Sequence, residues 1–432
     1  MSGDRQGGMV RLPRNVWILS GIALGVAIGF GVVNPVLPVF AVSFGVNELA
    51  AAAVVSAFAL MRLVFAPAVG FLTDRWGHRL ILLSGVLIVA VSSLATGFAR
   101  SYGEMIVFRG LGGLGSAMFS VSAMTILLSS VSPSLRGRAS AVYQGSFLVG
   151  AVAGPALGGL LGNISMRTPF FFYSITLGLA AVVALGLEPI TGDGSGAGAR
   201  VSGRRHPRSR AGTAAGAGDG AGEDWPDGEE ARSGQAVRPL SQVLRDRRYQ
   251  AALLAHLAQG WNTSGTRAAL IPLFVATYLA SSPGEAVLGT GIIMSVGAVV
   301  QMLAIWPSGV VVDRVGRRGP MMIGALIAAA AMAVLPFSRS FAVLAGLLAV
   351  YAIGAALIGT APSAAVGDAA GRGGTRAIAL YSMAGDTGSV VGPLVAGYLA
   401  AEFSYVTACA AGAVLWVASA LMSSLMPRSR PA

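Results

Sequence analysis

Residues 70–79 read Gly-Phe-Leu-Thr-Asp-Arg-Trp-Gly-His-Arg, and they join two long apolar runs. A close copy, Gly-Val-Val-Val-Asp-Arg-Val-Gly-Arg-Arg, occupies residues 309–318, 239 positions further along the chain. A second pair supports the first, because the glycine-rich run at 150–159 recurs at 388–397. Two motifs that repeat at nearly the same offset indicate a chain built from two copies of one half.

The composition indicates a membrane protein. Of 432 residues, 54% are hydrophobic and 11% are charged, and the mean hydropathy is +0.71. A soluble domain carries about 25% charged residues, whereas apolar runs of about 20 residues are typical of membrane-spanning helices. The chain holds twelve such runs, at residues 15–43, 47–73, 79–99, 102–130, 138–163, 168–188, 248–280, 285–312, 319–338, 340–366, 375–400 and 402–426.

The positive charge is unevenly distributed, and all 30 cationic residues are arginine. Outside a central segment they concentrate at both termini and in alternate loops, at Arg5, Arg11, Arg14, Arg75, Arg79, Arg136, Arg138, Arg314, Arg317, Arg318, Arg372, Arg376, Arg428 and Arg430. The other loops carry Arg100, Arg167 and Arg339. This bias is typical of cytoplasmic loops. It predicts a multi-pass protein of the cell membrane with both termini in the cytoplasm, and it explains the net charge of +12 without nucleic acid.

A polar segment separates the two halves. Residues 189–237 are rich in Gly, Ala, Arg and acidic residues and hold few large apolar side chains, so burial cannot offset the entropy of ordering them. We predict a six-helix bundle at 1–188, a largely disordered cytoplasmic linker at 189–247 that ends in a short surface helix, and a second six-helix bundle at 248–432.

Two helices in matching positions carry prolines. Pro35 and Pro38 lie in the first apolar run and Pro272 in the seventh, where proline removes a backbone donor. Interruptions in corresponding helices of two halves point to a transport pathway, although a simple packing kink is the alternative for each. Possible cavity residues in these and neighbouring helices are Asn34, Arg62, Tyr143, Asn262, Arg267 and Tyr381.

Six apolar runs, a polar linker and six more runs, with the pattern G-x-L-x-D-R-x-G-R/K-R/K in each half, resemble the major facilitator superfamily. His78 and Val311 depart from the pattern. The resemblance implies an all-α integral membrane fold of twelve transmembrane helices in two six-helix pseudo-repeats.

The resemblance also implies that the two repeated loops form a gate latch, which holds the cytoplasmic helix ends together while the site faces outward. Its candidate residues are Gly70, Asp74, Arg75, Gly77, Arg79, Gly309, Asp313, Arg314, Gly316 and Arg317. We expect Gly70 and Gly309 to let helices approach closely. We expect the two aspartates to accept N–H bonds at a helix start or to pair with Arg136, Arg138 or Arg376. The alternative is that the arginines only set the topology.

Arg109 and Asp386 are the candidates for proton coupling. Arg109 lies inside the fourth apolar run, where an unpaired charge is costly, in a sequence that resembles the superfamily's R-x-x-x-G-x-G-A motif for proton transfer. Its alternative is snorkelling to the interface. Asp386 falls near the bilayer midplane, where a carboxyl group binds protons more readily. Its alternatives are a permanent pair with an arginine or a site for a cationic substrate.

The glycine-rich run in the fifth span resembles the antiporter motif of the superfamily's exporters. Its residues are Gly150, Gly154, Pro155, Gly158 and Gly159. Physically, the glycines make a smooth face for close packing, and packing alone is the alternative. The second copy at 388–397 is expected to reflect only the symmetry of the fold.

These features predict a secondary active transporter similar to the twelve-helix drug:proton antiporters, a monomer in the lipid bilayer that exports a small amphipathic drug or natural product in exchange for protons. Such efflux would confer multidrug resistance. The alternative is a proton-coupled uptake carrier or a uniporter for a sugar or organic acid. No phosphate-binding G-x-x-x-x-G-K-S/T loop occurs, and three His and one Cys cannot form a typical metal site. We expect no cofactor, no metal, no nucleic-acid partner and no enzymatic activity.

Overall fold

The computed structural model describes residues 12–132, 135–187, 240–370 and 375–427, which are helical and contain no β-strand. The predicted linker at 189–237 lies outside the described residues, and the short helix predicted after it begins at Leu240. The first half comprises α1 (Arg14–Val33), α2 (Leu37–Val42), α3 (Glu48–Trp76), α4 (His78–Phe98), α5 (Tyr102–Ser129), α6 (Arg136–Ile164) and α7 (Thr168–Ala184).

The second half repeats this plan after the short helix α8 (Leu240–Arg245). It comprises α9 (Arg247–Gly260), a π-helical segment (Trp261–Leu270), α10 (Ile271–Tyr278), α11 (Pro283–Val315), α12 (Arg318–Val334), a 3₁₀ turn (Leu335–Phe337), α13 (Phe341–Ala370), α14 (Thr375–Glu402) and α15 (Tyr405–Ser424). Among the described residues, nine helices are long and apolar enough to cross a membrane. The first and seventh predicted spans are interrupted, and Pro38 and Pro272 each stand in the first turn of the helix that follows the break.

The helices run alternately between two ends of the bundle. We call the end where α1 begins and α3 ends the basic end, and the other the opposite end. At the basic end, Arg79 Nη2 donates a hydrogen bond to the Leu185 carbonyl at 2.6 Å. At the opposite end, Arg167 Nη1 donates to the Gly97 carbonyl at 3.0 Å. These bonds tie neighbouring helix ends together within the first half.

The repeated loops turn on glycine. Gly77 ends α3 with φ +82° and Gly316 ends α11 with φ +83°. A side chain is strained in this left-handed region, so glycine is the usual residue at such a helix terminus. The second glycine of each copy therefore reverses the chain between two spans.

Each half is held together by helices that meet at glycine. A Cβ added at Gly158 of α6 would lie 2.1 Å from the Val32 carbonyl oxygen of α1. In the second half, a Cβ added at Gly388 of α14 would lie 2.2 Å from the Leu257 carbonyl oxygen of α9. Both copies of the glycine-rich run thus bring two backbones into direct contact. The second copy therefore packs two helices together as the first copy does, and it has this structural role in addition to reflecting the symmetry of the fold.

Candidate transport site

A cavity of about 540 Å³ lies between the two halves, a volume usual for small-molecule sites. The first half lines it with α1, α3, α5, α6 and α7, and the second half with α9, the π-helical segment and α11. Both walls carry polar side chains, which in the first half are Asn34, Arg62, Ser116 and Ser120. Among the described lining residues, the aromatic ones all belong to the first half. The first half contributes the aromatic side chains Phe30, Phe58, Phe119, Phe147 and Tyr173. The second half contributes the polar side chains Gln259, Thr263, Arg267 and Gln301.

Three of the six residues predicted for the cavity line it, namely Asn34, Arg62 and Arg267. Asn262 does not, because its buried amide Nδ2 donates to the Ala258 and Gly412 carbonyls at 3.0 and 3.3 Å. The four-residue spacing of 259, 263 and 267 puts those residues on the face that meets the cavity, while Asn262 points into the half.

The two tyrosines also lie elsewhere. Tyr143 is buried and packs edge-on against Phe147, with ring centroids 5.4 Å apart. Tyr381 stacks on His256 at 4.2 Å. A position in a cavity-forming helix does not specify which way a side chain points.

Arg62 and Asp386 form an ion pair across the two halves. Arg62 Nη2 of α3 donates a hydrogen bond to Asp386 Oδ1 of α14. The side chains are 40% and 28% exposed, so water can reach both. A partly exposed pair of this kind contributes only a modest net free energy, on the order of 1 kcal/mol. It can therefore form and break during a functional cycle.

Arg109 is buried, and its guanidinium lies 4.7 Å from the centroid of the Phe58 ring. Within the described part of the chain, its Nε and Nη1 atoms have no hydrogen-bond partner. Because Phe58 also lines the cavity, this cation stands one side chain behind the cavity wall. The structure does not place Arg109 at the interface, as snorkelling would require.

The two halves meet closely at the opposite end. A Cβ added at Gly291 of α11 would lie 2.3 Å from the Pro155 carbonyl oxygen of α6. Two hydrogen bonds reinforce the contact: the Ala156 amide donates to Ser295 Oγ at 2.9 Å, and Ser56 Oγ donates to the Val390 carbonyl at 2.7 Å. The predicted antiporter-motif residue Gly159 also faces α11, with Leu288 O 3.0 Å from an added Cβ. The cavity is thus closed at this end.

At the basic end, three of the predicted latch residues, Gly70, Asp74 and Gly309, lack the expected contacts among the described residues. No atom lies within 4 Å of a Cβ added at Gly70 or Gly309, so the expected close helix approach at these glycines is absent in this conformation. Asp74 is exposed and has no ion-pair partner among the described residues. It lies in the last turn of α3, not at a helix start, because the chain stays helical until Gly77. Asp313 likewise falls in the last turn of α11.

The family profile of the Major Facilitator Superfamily matches residues 19–278 and 252–432. The chain belongs to this superfamily. As members of the superfamily are carriers, the predictions of an all-α integral membrane fold and of a protein that is not an enzyme are confirmed.

Part of this facilitator is similar to two resistance proteins. It is 30% identical over 173 residues to the quinolone resistance protein NorA of Staphylococcus aureus, covering 40% of this chain and 44% of that protein. It is 34% identical over 178 residues to the tetracycline resistance protein, class H, of Pasteurella multocida, with the same coverage. The matched part therefore spans less than half the length of these relatives.

Solved structures share its fold over nearly the whole chain. A bacterial homologue of the human lysosomal transporter Spinster, in an inward-facing and occupied conformation, aligns with a TM-score of 0.70 and 16% identity over 95% of both chains. A D-xylose–proton symporter aligns with a TM-score of 0.69 and 16% identity over 96% of this chain and 98% of its own. At such identities the likeness establishes the fold alone.

Proposed function

We propose that this facilitator exports a small amphipathic compound from the cell in exchange for protons, by alternating access across the cell membrane. The observation that carries the proposal is the Arg62–Asp386 ion pair, which joins the two halves next to the shared cavity. The similarity to two resistance proteins supports the direction of transport. The arginine bias of the loops supports a cytoplasmic location for the basic end and for both termini.

In this orientation, we propose that the structure corresponds to the inward-facing state. The glycine contacts of α6 with α11 close the outer end, while Gly70 and Gly309 of the latch loops make no close helix contact at the cytoplasmic end among the described residues. Rocking of the two halves would reverse both. The aspartates and arginines of the repeated loops would then meet and hold the cytoplasmic end shut, which is the role proposed for them.

The proton would act at Asp386. As a carboxylate, Asp386 attracts Arg62 and holds α14 to α3. In the outward-facing state a proton would bind there and remove the negative charge, so that Asp386 no longer attracts Arg62. When the ion pair forms again in the inward-facing state, the proton would leave to the cytoplasm. Arg109, behind Phe58, is proposed as the second residue of proton coupling.

One chain contains both halves of the site, so we propose that the monomer is the working unit. The domains are proposed to be the bundles at 1–188 and 248–432, with residues 189–247 as their cytoplasmic connection. The shared cavity explains why the two bundles must act together.

Substrate-evoked proton flux tests this function. The purified protein would be reconstituted into liposomes that contain a pH dye, with no gradient imposed, and candidate amphipathic drugs would be added in turn. We expect flux in the wild type, none with Asp386→Asn, and unchanged flux with Glu402→Gln, which alters an exposed carboxylate on the same helix.

The other outcomes separate the rival functions. Flux that survives in Asp386→Asn would place the coupling at another residue. Compound movement in the same direction as the proton would indicate uptake, and movement without any proton flux would indicate uniport. Either result would overturn the exchange mechanism.

A further inference from the structure

The charge of the cavity wall carries an inference about the substrate, which rests on the proposed function. Two arginines, Arg62 and Arg267, line the cavity, and no carboxylate does among the described residues. Arg62 is neutralised by Asp386. Arg267 has no acidic partner in the described part of the chain. The wall therefore keeps one uncompensated positive charge while Asp386 is ionised.

The position of Arg267 holds this charge at the cavity. Its guanidinium lies 5.7 Å from the centroid of the Tyr351 ring. This ring stabilises the cation from the side of α13 and uses none of the N–H donors of the guanidinium. Arg267 belongs to the ten-residue π-helical segment, and π-helical turns inside α-helices occur frequently at functional sites. Thr263 and Gln259 stand one and two turns before it on the same cavity face.

The opposite wall would receive an apolar body. Phe30, Phe58, Phe119 and Phe147 come from four different helices of the first half, so their rings surround one side of the space. A ligand that lies across the cavity would thus meet these rings, beside Asn34 and the Arg62 that Asp386 neutralises, at one side, and an unpaired guanidinium with two polar neighbours at the other.

We propose that the substrate is an amphipathic organic anion, with an aromatic or apolar body against the first half and a carboxylate bound by Arg267. A planar guanidinium matches a carboxylate with two parallel N–H···O bonds. Burial of a cationic head against this wall would instead place two positive charges together without a counter-charge. The cavity therefore selects against lipophilic cations.

The test compares three probes that share one ring system and differ in the head group, namely naphthylacetate, naphthylacetamide and naphthylethylamine. Binding to the protein in lipid nanodiscs would be measured by calorimetry, without any proton gradient. We expect the carboxylate to bind more tightly than the amide by on the order of 10–100-fold, as a charge-assisted hydrogen bond provides, and the amine to bind most weakly.

Variants test whether Arg267 is the source of the preference for the carboxylate. Arg267→Gln should reduce the carboxylate-to-amide ratio to about one and leave the affinity for the amide within about twofold, whereas Arg267→Lys should retain part of the preference. Arg100→Gln, at an exposed arginine of the opposite end, should change nothing. Asp386→Asn should bind the carboxylate at least as tightly as the wild type, because a neighbouring negative charge has gone.

Several results would overturn the substrate class. They are tighter binding of the amine than of the carboxylate, a carboxylate preference that Arg267→Gln leaves intact, or no measurable binding of the carboxylate at millimolar concentration. These results leave proton exchange untouched, since binding is measured without a gradient. Conversely, loss of proton exchange with an intact anion preference would remove the proposed function and keep the site.

Discussion

The contact between Gly291 and Pro155 allows the balance between conformations to be shifted by one methyl group. In Gly291→Ala the new Cβ would stand 2.3 Å from the Pro155 carbonyl oxygen and 2.9 Å from the Gly159 Cα. These are backbone atoms of α6, so no side-chain rotation can relieve the overlap. Overpacking of this kind costs about 1–3 kcal/mol.

The steric overlap would destabilise only the conformation in which α6 contacts α11. The overlapping atoms belong to different halves, so separation of α6 from α11 relieves the overlap without disturbing either bundle. A penalty of about 1–3 kcal/mol then favours the state that is open at the opposite end by roughly 5–150-fold, since each 1.4 kcal/mol is a factor of ten.

Cysteine labelling would measure this shift in a Cys409→Ser background, which removes the chain's one native thiol. Ala52→Cys reports on the opposite end, where Ala52 is buried and faces Gly397 of the other half, and Gly309→Cys reports on the basic end. We expect Gly291→Ala to accelerate maleimide labelling at position 52 and to slow it at position 309.

A matched control is Gly346→Ala, because no atom lies within 4 Å of a Cβ added there. Unchanged labelling at both reporter positions would refute the argument that this contact closes the opposite end. Faster labelling at both positions would instead mean that the variant loosens the fold.

Three further predictions follow from the same geometry. Gly158→Ala places a Cβ 2.1 Å from the Val32 carbonyl within one half; a thermal-shift assay should show a loss of about 1–3 kcal/mol that Gly178→Ala, in open space, does not cause. Ser295→Ala removes the partner of an α6 backbone amide in the other half, which should accelerate labelling at the opposite end by about 2–10-fold for a bond worth about 0.5–1.5 kcal/mol. Gly77→Ala forces a side chain to φ +82° and should lower the unfolding free energy by about 1–2 kcal/mol, measured in the same thermal assay.

The repeat made most of the fold predictable. The duplicated Gly–Asp–Arg–Gly loops indicate which helix ends lie at the same end of the bundle. The number of long apolar runs predicts the number of membrane crossings. From the sequence alone, Gly77 could be interpreted only as a residue of the repeated motif. Its positive φ shows that the chain reverses at Gly77. Because the helix continues up to this glycine, Asp74 lies in the last turn of α3.

A pair with an arginine is one of the alternatives that the sequence offers for Asp386, but the identity of that arginine was not predictable. Arg62 and Asp386 are 324 positions apart, and each is unusual within its own helix, but periodicity in one helix says nothing about the rotation of a partner in the other half. Asn262 shows the same limit. It was predicted for the cavity, but in the π-helical segment its side chain turns toward Gly412, while Thr263 lines the cavity.

A charged side chain in an apolar helix is costly unless it meets a partner or a cavity, and Arg267 lines the cavity. His256, by contrast, carries no sequence signal for its contact. It stacks on Tyr381 and occupies the space that the absent side chain of Gly385 leaves, with imidazole atoms 2.2 Å from an added Cβ. Such steric complementarity between two helices has no signature in either sequence segment.

Helix α6 is engaged on two sides at once, by α1 through Gly158 and by α11 through Gly159. Because the contact with α1 is backbone against backbone, we expect α1 to move with α6 when α6 separates from α11. Phe30 of α1 and Asn34, directly after it, line the cavity. Opening of the opposite end and a change in the shape of the cavity would therefore occur in one movement, and a ligand that restrains one would restrain the other.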